Sequence, residues 1–203
     1  MEFVFEAGKI VFDRELSDLD KLVVKFTKTL TGLGIDYVIV SGYIAILFGR
    51  SRNTEDVDLF IEEMPFEKFR VFWAVLEKAG FECINESSPE TGYNDYLEKK
   101  LALRFAEKGE IIPNFELKFP KTKYNRYSLE NKVEVILNGE RVNTSELELQ
   151  IAFKLKLGSE KDFEDARHLY KVFKEHLNTE ILQGHVRELR VEREAERILW
   201  KSH

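Results

Sequence analysis

The sequence predicts a mixed α/β (α+β) fold, a mixed β-sheet flanked by helices and followed by a C-terminal helical region. Three observations predict it. Short apolar strand-like runs alternate with helix-period stripes through the first 84 residues. A hairpin pattern then spans residues 101–119, which a purely parallel sheet would not contain. Beyond Leu147 the chain carries helix-cap signatures and helical stripes. The division expected is a core over 1–140 that includes an N-terminal hairpin, with a helical region over 141–203 packed on it.

Each element has a local reason. Phe3, Phe5, Ile10 and Phe12 alternate about Ala7-Gly8 and read as an edge hairpin. Ser17 caps a helix whose stripe is Leu19, Leu22, Val23, Phe26, Leu30 and Leu33, and Gly34 stops it. Tyr37 to Val40 is a strand, Tyr43 to Phe48 a short helix, and Val57 to Ile61 a second strand. Phe66, Phe69, Phe72, Trp73 and Leu76 make the next helical stripe before Gly80, and Phe81 to Ile84 a further strand. Asn85 to Tyr93 reads as a polar, turn-rich passage. Leu101 to Ala106 and Ile111 to Phe119 flank Lys108-Gly109-Glu110 as a hairpin. The remainder reads as mostly helical. Ser145 with Glu148 and Ser159 with Asp162 have capping-box spacing, although the apolar residues from Leu147 to Leu157 fall on alternate positions, which suits a strand equally. Phe163, Ala166, Leu169, Tyr170 and Phe173 form a helical stripe, and Thr179 to Trp200 a last, highly charged helix.

Composition narrows the function. With 43% apolar residues the chain has a real core, and its 203 residues suffice for one large domain or a catalytic domain with a helical annex. No apolar run is long enough to span a membrane, and MEFVFEAGKIVFDRE has neither a basic start nor a continuous apolar stretch, so the cytoplasm is the expected compartment. Cys83 is the only cysteine, which excludes an intrachain disulfide and a cysteine-rich zinc site. A net charge of −6 argues against broad nonspecific nucleic-acid binding. The abundance of charged residues is a balance found among heat-adapted proteins.

The most informative stretch is Val38 to Glu62, VIVSGYIAILFGRSRNTEDVDLFIE. Side chains alternate across a strand, so Asp56 and Asp58 share a face with Cα atoms roughly 7 Å apart, where two carboxylates can share divalent cations. Magnesium takes one or two carboxylates together with phosphate oxygens. Upstream, Ser41-Gly42 ends a strand and opens a helix, where free N–H groups and a close backbone approach suit a phosphate. Arg50 and Arg52 are cations suited to phosphate oxygens. In Ile111-Ile-Pro-Asn-Phe-Glu-Leu-Lys-Phe, Asn114, Glu116 and Lys118 share one face of the strand, which makes Glu116 the candidate third carboxylate and Lys118 a candidate phosphate ligand. Lys118, Lys121, Lys123 and Arg126 interleave with Tyr124 and Tyr127 in a loop, a mixture able to hold a phosphate backbone and stack a base. His168 and His185 stand singly on helices and are assigned no role.

Ser41-Gly42, Arg52-Asn53-Thr54 and Asp56-Val57-Asp58 resemble the polymerase-β-type nucleotidyltransferase superfamily, whose pattern is a Gly-Gly or Gly-Ser pair followed by Arg-x-Thr-x-Asp-x-Asp. Here Ser-Gly replaces the pair, and Glu116 stands where the family usually has aspartate. Gln150 to Lys156, followed by Lys161-Asp162-x-x-Asp165, is similar to the branch containing AbiEii-type toxins and minimal nucleotidyltransferases. The resemblance implies a nucleotidyltransferase fold and a magnesium-dependent enzyme, two ions accompanying the bound nucleoside triphosphate. Asp56, Asp58 and Glu116 are then the metal-binding and catalytic carboxylates. Ser41, Gly42, Arg50, Arg52, Thr54, Lys118, Lys154 and Asp165 form the nucleotide and phosphate site, with Lys154 on phosphate and Asp165 orienting it. The implied acceptor is a hydroxyl of tRNA, of a partner protein or of a small molecule, and a cognate toxin or antitoxin is a possible partner. The alternative is a catalytically weak or inactive binding or antitoxin module with the same fold.

Overall fold

The computed structural model describes residues 2–6 and 8–200. At the N-terminus β1 (Val4–Glu6) pairs antiparallel with β2 (Lys9–Phe12), as the alternation predicts. Ser17 caps α1 (Asp18–Gly32) in a capping box closed by Asp20. Next come β3 (Tyr37–Val40), α2 (Gly42–Leu47), β4 (Asp56–Ile61), α3 (Phe66–Lys78) and β5 (Phe81–Cys83). All lie within a residue or two of the expected positions.

The passage expected to be turn-rich is instead wound. Ser88 caps α4 (Pro89–Thr91), which continues as a π-helix over Gly92–Leu97. Proline suits the first helical turn, and Gly92 lets the backbone press on a core side chain, since a Cβ there would stand 3.2 Å from Trp73. The hairpin of β6 (Leu103–Glu107) and β7 (Asn114–Lys118) forms as expected. The basic segment after it is a helix rather than a loop. Thr122 caps α5 (Lys123–Glu130) through the Asn125 N–H, and the Asn125 side chain returns the bond.

A second hairpin lies in the region expected to be helical. It is formed by β8 (Val133–Leu137) and β9 (Glu140–Thr144), joined at Asn138-Gly139 with φ of 51° and 78°. Asn-Gly is the dipeptide that a two-residue hairpin turn prefers, because both positions need positive φ. This hairpin carries the sheet to Thr144 and joins β2 on one side to β3 on the other. Among the described residues the sheet has nine strands in the order β1-β2-β8-β9-β3-β4-β7-β6-β5. Parallel pairings β2·β8, β9·β3 and β4·β7 alternate with antiparallel ones, so the sheet is mixed.

The alternating segment is helical: α6 (Leu147–Leu157). It packs against α7 (Glu160–Phe173) and α8 (Thr179–Leu189) and is buried around most of its circumference, which is why no one-sided stripe marks it. The expected Ser145–Glu148 capping box is absent. Ser145 Oγ is bonded to Ser128 Oγ, and the Glu148 carboxylate accepts the Asn178 N–H at 2.6 Å. Ser159 does cap α7, accepting the Asp162 N–H at 3.2 Å. The last helix is broken: Arg190 takes a left-handed turn (φ 58°) between α8 and α9 (Glu192–Ala195), which continues as a π-helix over Glu196–Trp200. The turn brings Val191, Ala195 and Ile198 onto the core, which a straight continuation of α8 would not do.

Two aromatic clusters fix the layers. Phe26 of α1 stacks on Phe115 of β7 at 3.9 Å, with Phe81 edge-on to Phe26 at 5.1 Å. Phe3, Phe12, Phe48 and Phe173 join the N-terminal hairpin to α7. Among the described residues no helix is long and apolar enough to cross a membrane.

Candidate active site

The site grows from the register of three strands. In β4, Val57, Leu59 and Ile61 are fully buried, so Asp56, Asp58 and Phe60 present the opposite face. β3 lies antiparallel on one side of β4, with Val40 opposite Asp58. β7 lies parallel on the other, setting Glu116 beside Asp58 and Lys118 beside Phe60. Strand alternation thus brings both aspartates, the glutamate and the lysine to one face.

Where β3 ends, Ser41 opens α2 with φ 65° and ψ −131°, backbone angles that glycine adopts freely and serine does not. Gln150 of α6 holds this turn by both amide atoms: its Oε1 accepts the Ser41 N–H at 3.1 Å and its Nε2 donates to the Ser41 carbonyl at 2.9 Å. Gly42 follows, and a Cβ there would stand 3.0 Å from Arg52 Nη2, so the guanidinium lies directly against the backbone of the turn.

Asp165 of α7 organises the cations. Its side chain is fully buried and bonds Arg50, Arg52 at 2.6 Å and Lys154 at 2.9 Å. A buried carboxylate is tolerated only with such partners. Arg50 also bonds Glu164 and the Lys161 carbonyl, so it ties the segment after α2 to α7. Lys154 gives a second bond to Asp162 at 2.7 Å, leaving one of its three donors uncommitted to these carboxylates. Burial pushes the Asp162 carboxyl up, but its bonds to Lys154 and Ser159 outweigh that and hold it below the ordinary value.

These groups enclose an open cleft of about 590 Å³, walled by Ser41, Gly42, Arg52, Asn53, Thr54, Glu55, Asp56, Asp58, Lys154, Ser159, Lys161 and Asp162. Thr54 steadies the approach to β4 by donating to the Asp56 carbonyl at 3.0 Å. A narrower apolar slot of about 110 Å³ shares Ser41 and Lys154 with the cleft and runs between Val40, Phe60, Leu149, Phe153 and Leu157.

Charge at the far edge is arranged differently from the expectation. Lys118 Nζ stands 2.9 Å from Asp58 Oδ1 and 2.7 Å from Glu116 Oε2, and Arg104 of β6 takes the other Glu116 oxygen at 2.7 Å. Burial raises the Asp58 carboxyl above the ordinary value, and Lys118 offsets this only in part. Burial acts the same way on Glu116, but Lys118 and then Arg104 outweigh it and keep that carboxylate low. For Lys118, burial lowers the ammonium's pKa, while Asp58 and Glu116 more than restore it.

Seven of the sequence candidates therefore line one cleft: Ser41, Gly42, Arg52, Thr54, Asp56, Asp58 and Lys154. Asp165 lies behind the wall as their anchor. Arg50 is turned to Asp165 and Glu164, and Glu116 and Lys118 are engaged with each other beside Asp58 rather than on the cleft wall. Sequence reasoning missed Gln150 as the clamp on Ser41, Lys161 and Ser159 as lining residues, and Arg104 as the partner of Glu116. Only Arg104 had a usable signal, since hairpin register sets it opposite Glu116. Asp56 and Asp58 suit a divalent ion: two acidic side chains face the cleft and cations stand across it. Among the described residues no three acidic, histidine or cysteine side chains converge as a metal cluster, and Lys118 lies between Asp58 and Glu116.

Comparison with known proteins gives the family and the fold. Residues 19–201 match the family model described as "Nucleotidyl transferase of unknown function (DUF2204)". Among solved structures, an antigenic nucleotidyltransferase-like protein from Paracoccidioides brasiliensis superposes with a TM-score of 0.54 at 20% identity, over 90% of this chain and 92% of that one. ANT(2'')-Ia, solved with adenylyl-2''-tobramycin, gives 0.55 at 16% identity over 86% and 98%. The lincosamide antibiotic adenylyltransferase LnuA, lincomycin-bound, gives 0.51 at 11% identity over 78% and 99%. At these identities the likeness is one of fold. No curated protein sequence matches.

Proposed function

We propose a reaction from the premise that this chain belongs to the nucleotidyl transferase family DUF2204: it transfers a nucleoside monophosphate from a nucleoside triphosphate to a hydroxyl acceptor and releases pyrophosphate. One observation carries the proposal. Asp56 and Asp58 share the wall of a single cleft with the Ser41-Gly42 turn, Arg52 and Lys154.

In this reading the two aspartates hold magnesium, which when bound neutralises triphosphate charge and withdraws electrons from the phosphorus. Arg52, Lys154 and Lys161 bind phosphate oxygens, while Asp165 keeps Arg52 and Lys154 extended toward them. The acceptor oxygen attacks the α-phosphorus, the bond from that phosphorus to the β-phosphate bridging oxygen breaks, and pyrophosphate leaves. The hydroxyl proton passes to water of the open cleft, because Glu116 lies off the cleft wall with one oxygen on Lys118 and the other on Arg104. Positioning and charge compensation supply most of the rate.

For the acceptor, a small hydroxyl compound is favoured over tRNA or a partner protein. One solved neighbour is named a lincosamide antibiotic adenylyltransferase and another was solved with adenylyl-2''-tobramycin, and a net charge of −6 attracts cationic compounds more readily than RNA. Placement in the AbiEii-like branch, and with it a toxin–antitoxin role, rests only on the Lys154 and Lys161-Asp162-x-x-Asp165 residues.

Pyrophosphate release from each nucleoside triphosphate, with magnesium and a panel of polyhydroxyl amines, tests the reading. Asp58→Ala is expected to lower turnover at least about a hundredfold; undiminished turnover excludes it. A second reading, a nucleotide-binding module with weak or no catalysis, is favoured by Lys118 lying between Asp58 and Glu116. Under it, nucleotide binding persists without magnesium and survives replacement of both aspartates by alanine.

A further inference from the structure

Resting on that reading, we propose that the Lys118 ammonium takes the place of a second divalent ion, so that the cleft holds one ion, on Asp56 and Asp58. Lys118 leaves β7 on the same face as Glu116 and reaches back between the two strands, 2.9 Å from Asp58 Oδ1 and 2.7 Å from Glu116 Oε2. Those are ordinary lengths for a charge-assisted hydrogen bond. A magnesium ion bridging the same oxygens would lie at about 2.1 Å from each and would need the volume the ammonium fills.

The rest of the shell agrees. Arg104 occupies the second Glu116 oxygen through Nε at 2.8 Å and Nη2 at 2.7 Å, so Glu116 faces two cations before any metal arrives. Its side chain is only 12% exposed, and Lys118 is 29% exposed, so water does little to loosen the pair. Asp56 differs: among the described residues its carboxylate has no ion-pair partner, and it faces the cleft with Asp58. One carboxylate free of ion pairs and one shared carboxylate suffice for a single ion that keeps waters or phosphate oxygens as its other ligands. Lys118 supplies a fixed positive charge on the other side of Asp58, and Glu116 and Arg104 position it.

Manganese titration of the whole chain with a non-hydrolysable nucleoside triphosphate analogue, counting bound ions by the loss of the free-ion paramagnetic resonance signal, tests this. Wild type is expected to bind one ion, Lys118→Met two, and Lys118→Arg one. Glu116→Gln gives an independent reading that does not depend on the lysine variants folding. Its single ion should bind within about threefold of the wild-type affinity, whereas loss of a true metal ligand weakens binding tenfold or more. Two ions in wild type, a single ion in a folded Lys118→Met chain, or a tenfold loss in Glu116→Gln would each overturn the proposal while leaving the transferase reading intact. No ion bound to wild type would remove both.

Discussion

Gln150 grips Ser41 by both its backbone polar groups, one amide atom accepting from the N–H at 3.1 Å and the other donating to the carbonyl at 2.9 Å across 109 residues of sequence. The grip holds a serine at φ 65°, ψ −131°, so strain and clamp are parts of one arrangement. Ser41→Gly removes the strain and is expected to raise unfolding free energy by about 1 kcal/mol, measured by urea denaturation. Gln150→Ala loses two hydrogen bonds to the turn and should cost about 2 kcal/mol in the same experiment.

Gly42 sets how close Arg52 can come to the turn. Because a Cβ at Gly42 would meet the guanidinium at 3.0 Å, and Asp165 restrains that guanidinium from behind, Gly42→Ala should displace Arg52 by a few tenths of an ångström. Triphosphate affinity is expected to fall by roughly threefold to tenfold with the fold intact, read by calorimetric titration. Unchanged affinity would mean that Arg52 does not bind phosphate.

Asp165 compensates three cations at once. Asp165→Asn keeps the shape and removes the charge, leaving Arg50, Arg52 and Lys154 facing one another around a neutral amide. Stability is expected to drop by about 3 kcal/mol in denaturant, as when a buried ion pair is broken on one side. Lowered stability without any change in nucleotide affinity would confine Asp165 to a structural role.

The fully buried Asp20 couples stability to acid. Burial alone pushes its carboxyl up, but Arg14, Ser17 and Tyr43 outweigh this and hold it below the ordinary value of 3.8. An acid whose folded value is depressed contributes stability that is fully present above its unfolded value and is lost as pH falls through the folded one. The contribution should therefore be complete above about pH 5 and decline below pH 3.8. Asp20→Asn is expected to cost roughly 3 kcal/mol at neutral pH and to flatten that acid limb, measured by thermal unfolding across pH.

Local geometry explains what could be read early. Val57, Leu59 and Ile61 alternate with Asp56 and Asp58, so the face carrying both acids followed from the backbone's two-residue period. Ser17 and Ser159 caps were equally local. Asn138-Gly139 is the local signal of the β8–β9 hairpin, whereas the Ser145–Glu148 spacing makes no capping box because both side chains bond distant partners, Ser128 and Asn178.

The sequence was enough for the order of strands and helices up to β5, for the β6–β7 hairpin, for the acidic pair and for the turn before α2, because each depends on neighbours a few residues apart. Folding in three dimensions decided which charges meet. Asp165 joins Arg52 across 113 residues, and Lys118 settles between Asp58 and Glu116 only because β7 lies parallel to β4 in one register. Nothing local specifies a pairing between segments so far apart; it is set when the packing of the sheet and α7 fixes their distance.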